Sequence, residues 1–463
     1  MTATSPQDLV EHALSASTSD HCVVIVHDST SANLRWANNT LTTNGVMHGV
    51  RVTVVSLHGT GQGTAAGSVS ASAASTAQVD RIVEAADAAA RAGTPAEDAA
   101  DLPAGEVAED WAEPSGETSI DVYDDFAPAL GEAFGRAGAE GRILYGFVDH
   151  DVTTTYLGTS TGTRLRHVQP TGHYGCTAKP TDLSTSAWVG GATRDFKDVD
   201  AQVMEAELTQ RLGWASRKVD LEAGRYDTVL PPTAVSDLMI YAYWTAGARD
   251  AEEGRSVYAS GGGGTRIGEQ LSNLPVTLRS DPFEPGLQCA PFEIVTQSSG
   301  GVQSVFDNGA PVPAASWITE GRLTDLARTR AWARRTETQP RPYVGNLILD
   351  GGPGGRTLDE MVADTERGLL LTCLWYIREV DPQTLLLTGL TRDGVYLVEN
   401  GRVQGAVNNF RFNESPIDLL GRLTEVGRTE HTLSREWNDD FRRTAMPALR
   451  VPDFNMSTVS QAS

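Results

Sequence analysis

Hydrophobic and polar positions change period several times along the chain, and each change marks an element. Val50-Arg51-Val52-Thr53-Val54 alternates apolar with polar, as a half-buried strand requires. Residues 21–27 and 33–39 are further β-rich runs, and 46–57 holds two more. Residues 77–92 switch to helical spacing, with Val79, Ile82, Val83, Ala86 and Ala90 on one stripe. Strand patterns resume at 142–150 and continue past Ala178, and a helix follows over 200–219 through Met204, Leu208, Leu212 and Ala215. Pro231-Pro232-Thr233 opens another helix, whose apolar stripe is Val235, Leu238, Met239, Ala242 and Ala246. The remainder reads mainly as β, with glycine punctuation at 261–264, Gly300-Gly301 and 351–355. Asn400-Gly401 between two β runs predicts a type I′ hairpin, because both central residues must take positive φ. Ser415-Pro416 opens a last helix predicted to run through Val426, and no fixed-period repeat is present.

A chain of 463 residues is too long for one core, so two lobes are expected. The pattern changes around 221–225. It predicts an α+β protein with a helix-and-sheet lobe over 1–220 and a second lobe over 221–463, dominated by curved antiparallel sheet around a buried helix. Charge sharpens the picture: 37 basic residues against 60 acidic give −23. Such a chain lacks the cations that displace counterions from a nucleic-acid backbone. Between Asp80 and Glu140 there are 16 acids and three arginines, interrupted by Pro95, Pro103 and Pro114, which reads as a solvated linker or helix face. The first residues have no basic start and no apolar core, and Ser5-Pro6-Gln7-Asp8 reads as a helix cap. The longest apolar run, 369–377, is far short of the roughly 20 residues that span a bilayer. Cys22, Cys176, Cys289 and Cys373 lie far apart, as reduced thiols in a cytoplasm would.

Candidate chemistry is sparse. Gly158-Thr159-Ser160-Thr161-Gly162 matches a nucleophile-elbow pattern, but the next residues read as a strand where the elbow needs a helix. Gly59-Thr-Gly61-Gln-Gly63 and 261–264 lack the Gly-Lys-Ser or Gly-Lys-Thr of a phosphate loop. His167, His173 and Cys176, with His150 and Asp151, are the nearest approach to a metal cluster. Their spacing is not a standard ligand pair, and strand alternation would spread them over two faces. No histidine falls between 174 and 430, and no helix carries two histidines one turn apart beside a glutamate.

Several strings resemble the TldD/TldE (PmbA) family of modulator-of-gyrase-type metallopeptidases. They are Gly394-Val-Tyr-Leu-Val-Glu-Asn400-Gly401, preceded by Arg392-Asp393, and Val407-Asn-Asn-Phe-Arg-Phe-Asn-Glu-Ser-Pro416. Gly224-Arg225-Tyr226-Asp-Thr-Val-Leu230-Pro231 and Leu349-Asp350-Gly351-Gly352 are also similar. Looser matches are Arg35-Trp36-Ala37-Asn38 and Tyr156-Leu157-Gly158-Thr159-Ser160. TldD-type members carry His-Glu-x-x-x-His on the helix after the strand at 224–230, and a cysteine ligand near the C-terminus. Here that helix reads Asp237-Leu-Met-Ile-Tyr-Ala-Tyr-Trp-Thr-Ala-Gly247, without histidine or glutamate, and residues 451–463 hold no cysteine. The resemblance therefore implies a TldE-type subunit with no catalytic or metal residues of its own. It implies a TldD-type partner that carries zinc, an enclosed cavity, and an extended or unfolded peptide as substrate. The acidic charge balance and the short apolar runs leave neither nucleic acid nor membrane as an expected partner. Tyr241, Tyr243 and Trp244 on that helix are either core packing or an aromatic wall for the peptide. A self-sufficient peptidase with a divergent metal site and a non-proteolytic peptide-binding scaffold are the alternatives.

Overall fold

The computed structural model describes residues 4–298, 301–352, 354–392 and 394–460. Gly300 of the expected glycine turn, Pro353 within the expected 351–355 turn and Asp393 before the expected hairpin lie outside them. The protein is α+β.

The first helix, α1 (Pro6–Ala16), starts where the cap predicts: the Ser5 hydroxyl accepts from the Asp8 backbone N–H at 3.1 Å. Strands β1 (His21–Ala37), β2 (Thr40–Thr60), β3 (Gly63–Ser72), β4 (Arg142–Thr159), β5 (Arg164–Pro180) and β6 (Ala187–Thr193) make one antiparallel sheet in the order β3-β2-β1-β4-β5-β6. The runs expected at 21–27 and 33–39 are two halves of β1, and the two expected within 46–57 lie inside β2. Side-chain alternation fades at Asp28 to Ser31, but the backbone stays paired there on both edges, Asp28 with Val50 and with Thr154. Continuous ladder bonding keeps the strand whole where its apolar signal fails.

The even-numbered side chains of β1 face helices. Val24 and Val26 pack on α1 and α2 (Thr76–Ala92), while Ala32, Leu34 and Trp36 pack on α3 (Phe126–Ala139) and α4 (Ala201–Ala215). The odd-numbered Val23 and Ile25 face the other way, onto Phe292, Val295 and Phe306 of the second lobe. The sheet is therefore a middle layer, covered on both sides. Helix α4 stops four residues short of the expected Val219. Lys218 and Val219 instead pair in parallel with Ala406 and Val407.

A fourteen-stranded mixed sheet organises the second lobe among the described residues. Its long strand Thr444–Val459 joins Gly224–Leu230, Leu347–Asp350, Phe410–Glu414 and Glu425–Thr432. Most pairings are antiparallel. Gly224–Leu230 with Arg367–Leu371, and Leu347–Asp350 with Thr444–Val459, are parallel. The hairpin forms as predicted: Val395–Glu399 and Arg402–Val407 flank Asn400 at φ 51° and Gly401 at φ 73°. The last helix is only Pro416–Gly421, because Glu425–Thr432 is claimed by the sheet rather than continuing the helix.

Helix α5 (Pro232–Trp244) runs through this lobe's core. Pro231 is extended and Pro232 supplies the first helical residue, where its missing N–H costs nothing. Val235, Leu238, Met239, Ile240 and Ala242 are fully buried against the sheet. A large apolar side chain buried this way contributes about 1.5–3 kcal/mol. The helix ends at Trp244 rather than Gly247, where the Thr245 hydroxyl turns back to donate to the Tyr241 carbonyl at 2.9 Å. No helix among the described residues is long and apolar enough to cross a membrane.

Candidate functional site

Three aromatic residues of α5 take different environments. Tyr243 is core: it is 1% exposed, stacks on Tyr343 at 4.4 Å and donates its hydroxyl hydrogen to the Val344 carbonyl at 2.9 Å. The Val344 N–H donates back to the same oxygen at 2.7 Å, so the phenol is fully used. Tyr241 and Trp244 are half-buried and meet Trp437 edge-on at 5.3 and 5.1 Å. Together they form an aromatic cluster at the helix's C-terminal end. Near the middle of α5 the fully buried Asp237 accepts from the Glu436 N–H at 2.9 Å. Burial pushes its carboxyl well above the ordinary value, against that hydrogen bond and the charge of Arg435.

Asp237 thus fixes the segment 433–443, which crosses from the second lobe to the first. Arg435 lies over the Trp375 ring at 3.2 Å and over the Trp188 ring of β6 at 4.5 Å. Arg442 reaches Asp149 at 2.9 Å and Asp151 at 3.5 Å, both on β4. Asp149 also pairs with His173 of β5, directly opposite in the ladder. Burial opposes ionisation of Asp149, but His173 and Arg442 outweigh it and hold its carboxyl below the usual range. Burial, then the charge of Asp149, pushes Asp151 upward.

The sequence candidates therefore divide. His173, Asp151 and the unforeseen Asp149 come together, with the Arg442 guanidinium as their cation. His150 points to the opposite face. Its Nε2 donates to the Arg194 carbonyl at 2.8 Å, which leaves Nδ1 to accept from the Thr118 hydroxyl at 2.7 Å; burial lowers its pKa. Cys176 is on that second face too, and burial raises its thiol to about 12. His167 bonds Gln169 at 3.1 Å, and burial lowers its pKa. Ser160 lies in the β4–β5 turn with no helix after it.

Between the lobes lies a recessed cavity of about 100 Å³, walled by Gln169 to Gly172 of β5, Arg194, Leu287, His431, Arg442 and Arg443. Two sheet edges flank it. Among the described residues, β6 pairs as a strand only with β5, and Glu425–Thr432 only with Thr444–Val459. The sequence reading missed this crevice because Arg442 and Asp149 are 293 residues apart. The available signal was the cluster Arg435, Trp437, Arg442 and Arg443, charged and aromatic residues together in a segment without a period.

Two family models match the chain. The PmbA/TldA metallopeptidase C-terminal domain matches residues 223–458, and PmbA/TldA metallopeptidase domain 1 matches 22–93. A chain with this fold, matched over half its length, belongs to the TldD/TldE (PmbA) family. Among solved structures, TldE from Thermococcus kodakarensis superposes with a TM-score of 0.77 at 15% identity, covering 97% of this chain and 99% of its own. A protein described as a candidate modulator of a DNA gyrase from Thermotoga maritima gives 0.75 at 16%, with 97% and 99% covered. One so described from Bacteroides thetaiotaomicron gives 0.73 at 14%, with 98% of each covered. At these identities the superpositions show the fold. No curated protein matches this chain in sequence.

The family name raises the question of a metal. The donors on α5 do not fit zinc: its one ionisable carboxyl, Asp237, is spent on the Glu436 backbone, and Tyr243 with Tyr343 fills the interior beside it. Among the described residues no group of three or more His, Cys, Asp and Glu side chains is gathered to hold a metal ion.

Proposed function

We propose that this chain is a TldE-type, non-catalytic subunit that works in the cytoplasm with a TldD-type metallopeptidase partner. The partner supplies zinc and the water-activating carboxylate, and this chain closes the cavity and holds an extended peptide. The observation that carries the reading is α5. It is the family's metal helix by position, yet here it presents no histidine or glutamate and ends in a packed aromatic cluster. The two sheet edges flanking the crevice support peptide capture by strand addition, in which main-chain bonds give affinity without one decisive side chain.

The test is a peptide-cleavage assay of each chain alone and of the mixture, with and without chelator. We expect no cleavage by this chain, and chelator-sensitive cleavage by the mixture beyond that of the partner alone. Cleavage by this chain alone would revive a self-sufficient peptidase. A mixture no better than the partner would favour a non-proteolytic scaffold.

A further inference from the structure

Several recessed arginines of this protein are paired with carboxylates. Arg142 meets Glu205, Arg328 meets Asp325, Arg422 meets Glu414, and Arg450 meets Glu425 and Asp227. With 60 acidic residues against 37 basic, partners are abundant. Arg443 departs from this pattern. It sits just before the strand Thr444–Val459, in the crevice wall, and no carboxylate among the described residues lies within ion-pair distance of it. Its Nε donates to the Gly345 carbonyl at 3.0 Å and one Nη reaches the Thr171 hydroxyl at 3.5 Å. A guanidinium has five N–H donors, and these two bonds use two of them. Withdrawing such a group from water without a counter-charge is costly.

The rest of the cavity has the same character. Arg194, which also lines the cavity, bonds Gln288 at 3.1 Å and has no carboxylate within ion-pair distance among the described residues. His431 closes the side at Gly286, where even a Cβ would come within 2.4 Å of the imidazole. Asp198 also lines the space, and its carboxylate accepts from the Thr193 hydroxyl. Val168, Pro170 and Leu287 add apolar wall.

We propose that this cavity binds a carboxylate, held by the fork of Arg443 together with Arg194. A volume of about 100 Å³ suits one small planar anion. The carboxylates of Asp149, Asp151 and Asp198 nearby disfavour a second negative charge, which selects a carboxylate over a phosphate dianion. Because β6 and Glu425–Thr432 flank the cavity, an extended peptide lying on either edge would end with its α-carboxylate there; that assignment rests on the peptide-holding function proposed above.

The test is calorimetric titration of the full chain, without any partner, at constant ionic strength. The probes are N-acetylglycylglycine, its C-terminal amide, and inorganic phosphate. We expect the acid to bind one-to-one and at least tenfold more tightly than the amide or phosphate. Arg443→Gln should weaken the acid tenfold or more and leave the amide unchanged. Arg194→Gln, at an exposed position, should weaken it several-fold with an unchanged thermal midpoint, and it decides the matter if Arg443→Gln fails to fold. Equal binding of acid and amide, tighter binding of phosphate, or undiminished acid binding in the variants would overturn the proposal. No cleavage is read, so this result and that of the mixing assay can fail separately.

Discussion

Asp87, on α2, gathers five donors into one buried carboxylate. The hydroxyls of Ser17, Thr18, Ser19 and Ser56 lie at 2.9, 2.9, 2.8 and 2.5 Å, and the Thr18 N–H at 2.7 Å. Burial alone would raise its pKa, but these donors outweigh it and hold the carboxyl well below the usual range. A carboxylate whose folded pKa is depressed stabilises the protein above its unfolded value near 4, and that contribution is lost as pH falls further. Asp87→Asn should therefore cost about 2–3 kcal/mol at pH 7. Its deficit against the parent should shrink below pH 4. Urea midpoints at pH 7 and pH 3.5 check this, and a deficit that persists unchanged at low pH would contradict it. The periodicity of α2 was legible in Val79, Ile82, Val83, Ala86 and Ala90, and all five are buried. Asp87 lies on the same buried side, one turn after Val83, and an apolar stripe cannot register an acid whose partners come from residues 17–19 and 56.

At the scale of elements, local chemistry was readable wherever a turn or cap dictated it. Asn400-Gly401 announces its hairpin because few residues tolerate positive φ twice in succession. Asn38 and Asn39, at φ 52° and 58°, make the same kind of turn between β1 and β2, but without glycine the signal was passed over. Helix ends were less legible, since Lys218-Val219 and Glu425–Thr432 are taken up by strands distant in sequence. The hairpin also docks: the Asn400 and Gly401 N–H groups donate to the Glu366 and Thr365 carbonyls at 2.7 and 2.9 Å. A Cβ on Gly401 would lie 2.2 Å from the Ala363 carbonyl oxygen. Gly401→Val should then cost at least about 2 kcal/mol, from positive φ and this clash together. Asn400→Val should cost about 1 kcal/mol. Chemical denaturation with an unchanged slope is the measurement, and equal midpoints for the two variants would contradict the docking argument.

For the whole molecule, two lobes were legible from length and pattern change, while the crevice between them was not. Its walls come from β5, the end of β6 and the distant stretches 286–288, 431–432 and 442–444, and no periodicity spans that separation. Arg442 is the cation shared across the divide. Arg442→Met would leave Asp149 and Asp151 facing each other without it, at a cost of about 2 kcal/mol after allowance for their partial exposure. Scanning calorimetry should show a lower midpoint and separate lobe transitions; a single, unmoved transition would mean that the apolar contact of Val23 and Ile25 with Phe292, Val295 and Phe306 and the aromatic stack on Arg435 hold the lobes without it.

The strand Thr444–Val459 touches four others, among them Gly224–Leu230, made 214 residues earlier. On a ribosome adding roughly 5–20 residues each second, that first strand waits on the order of ten to forty seconds for its neighbour. Throughout the wait, α5 lacks the long strand that covers much of its apolar face. The second lobe cannot mature piecemeal as it emerges, and nascent chains will need shielding until the strand that stitches them arrives.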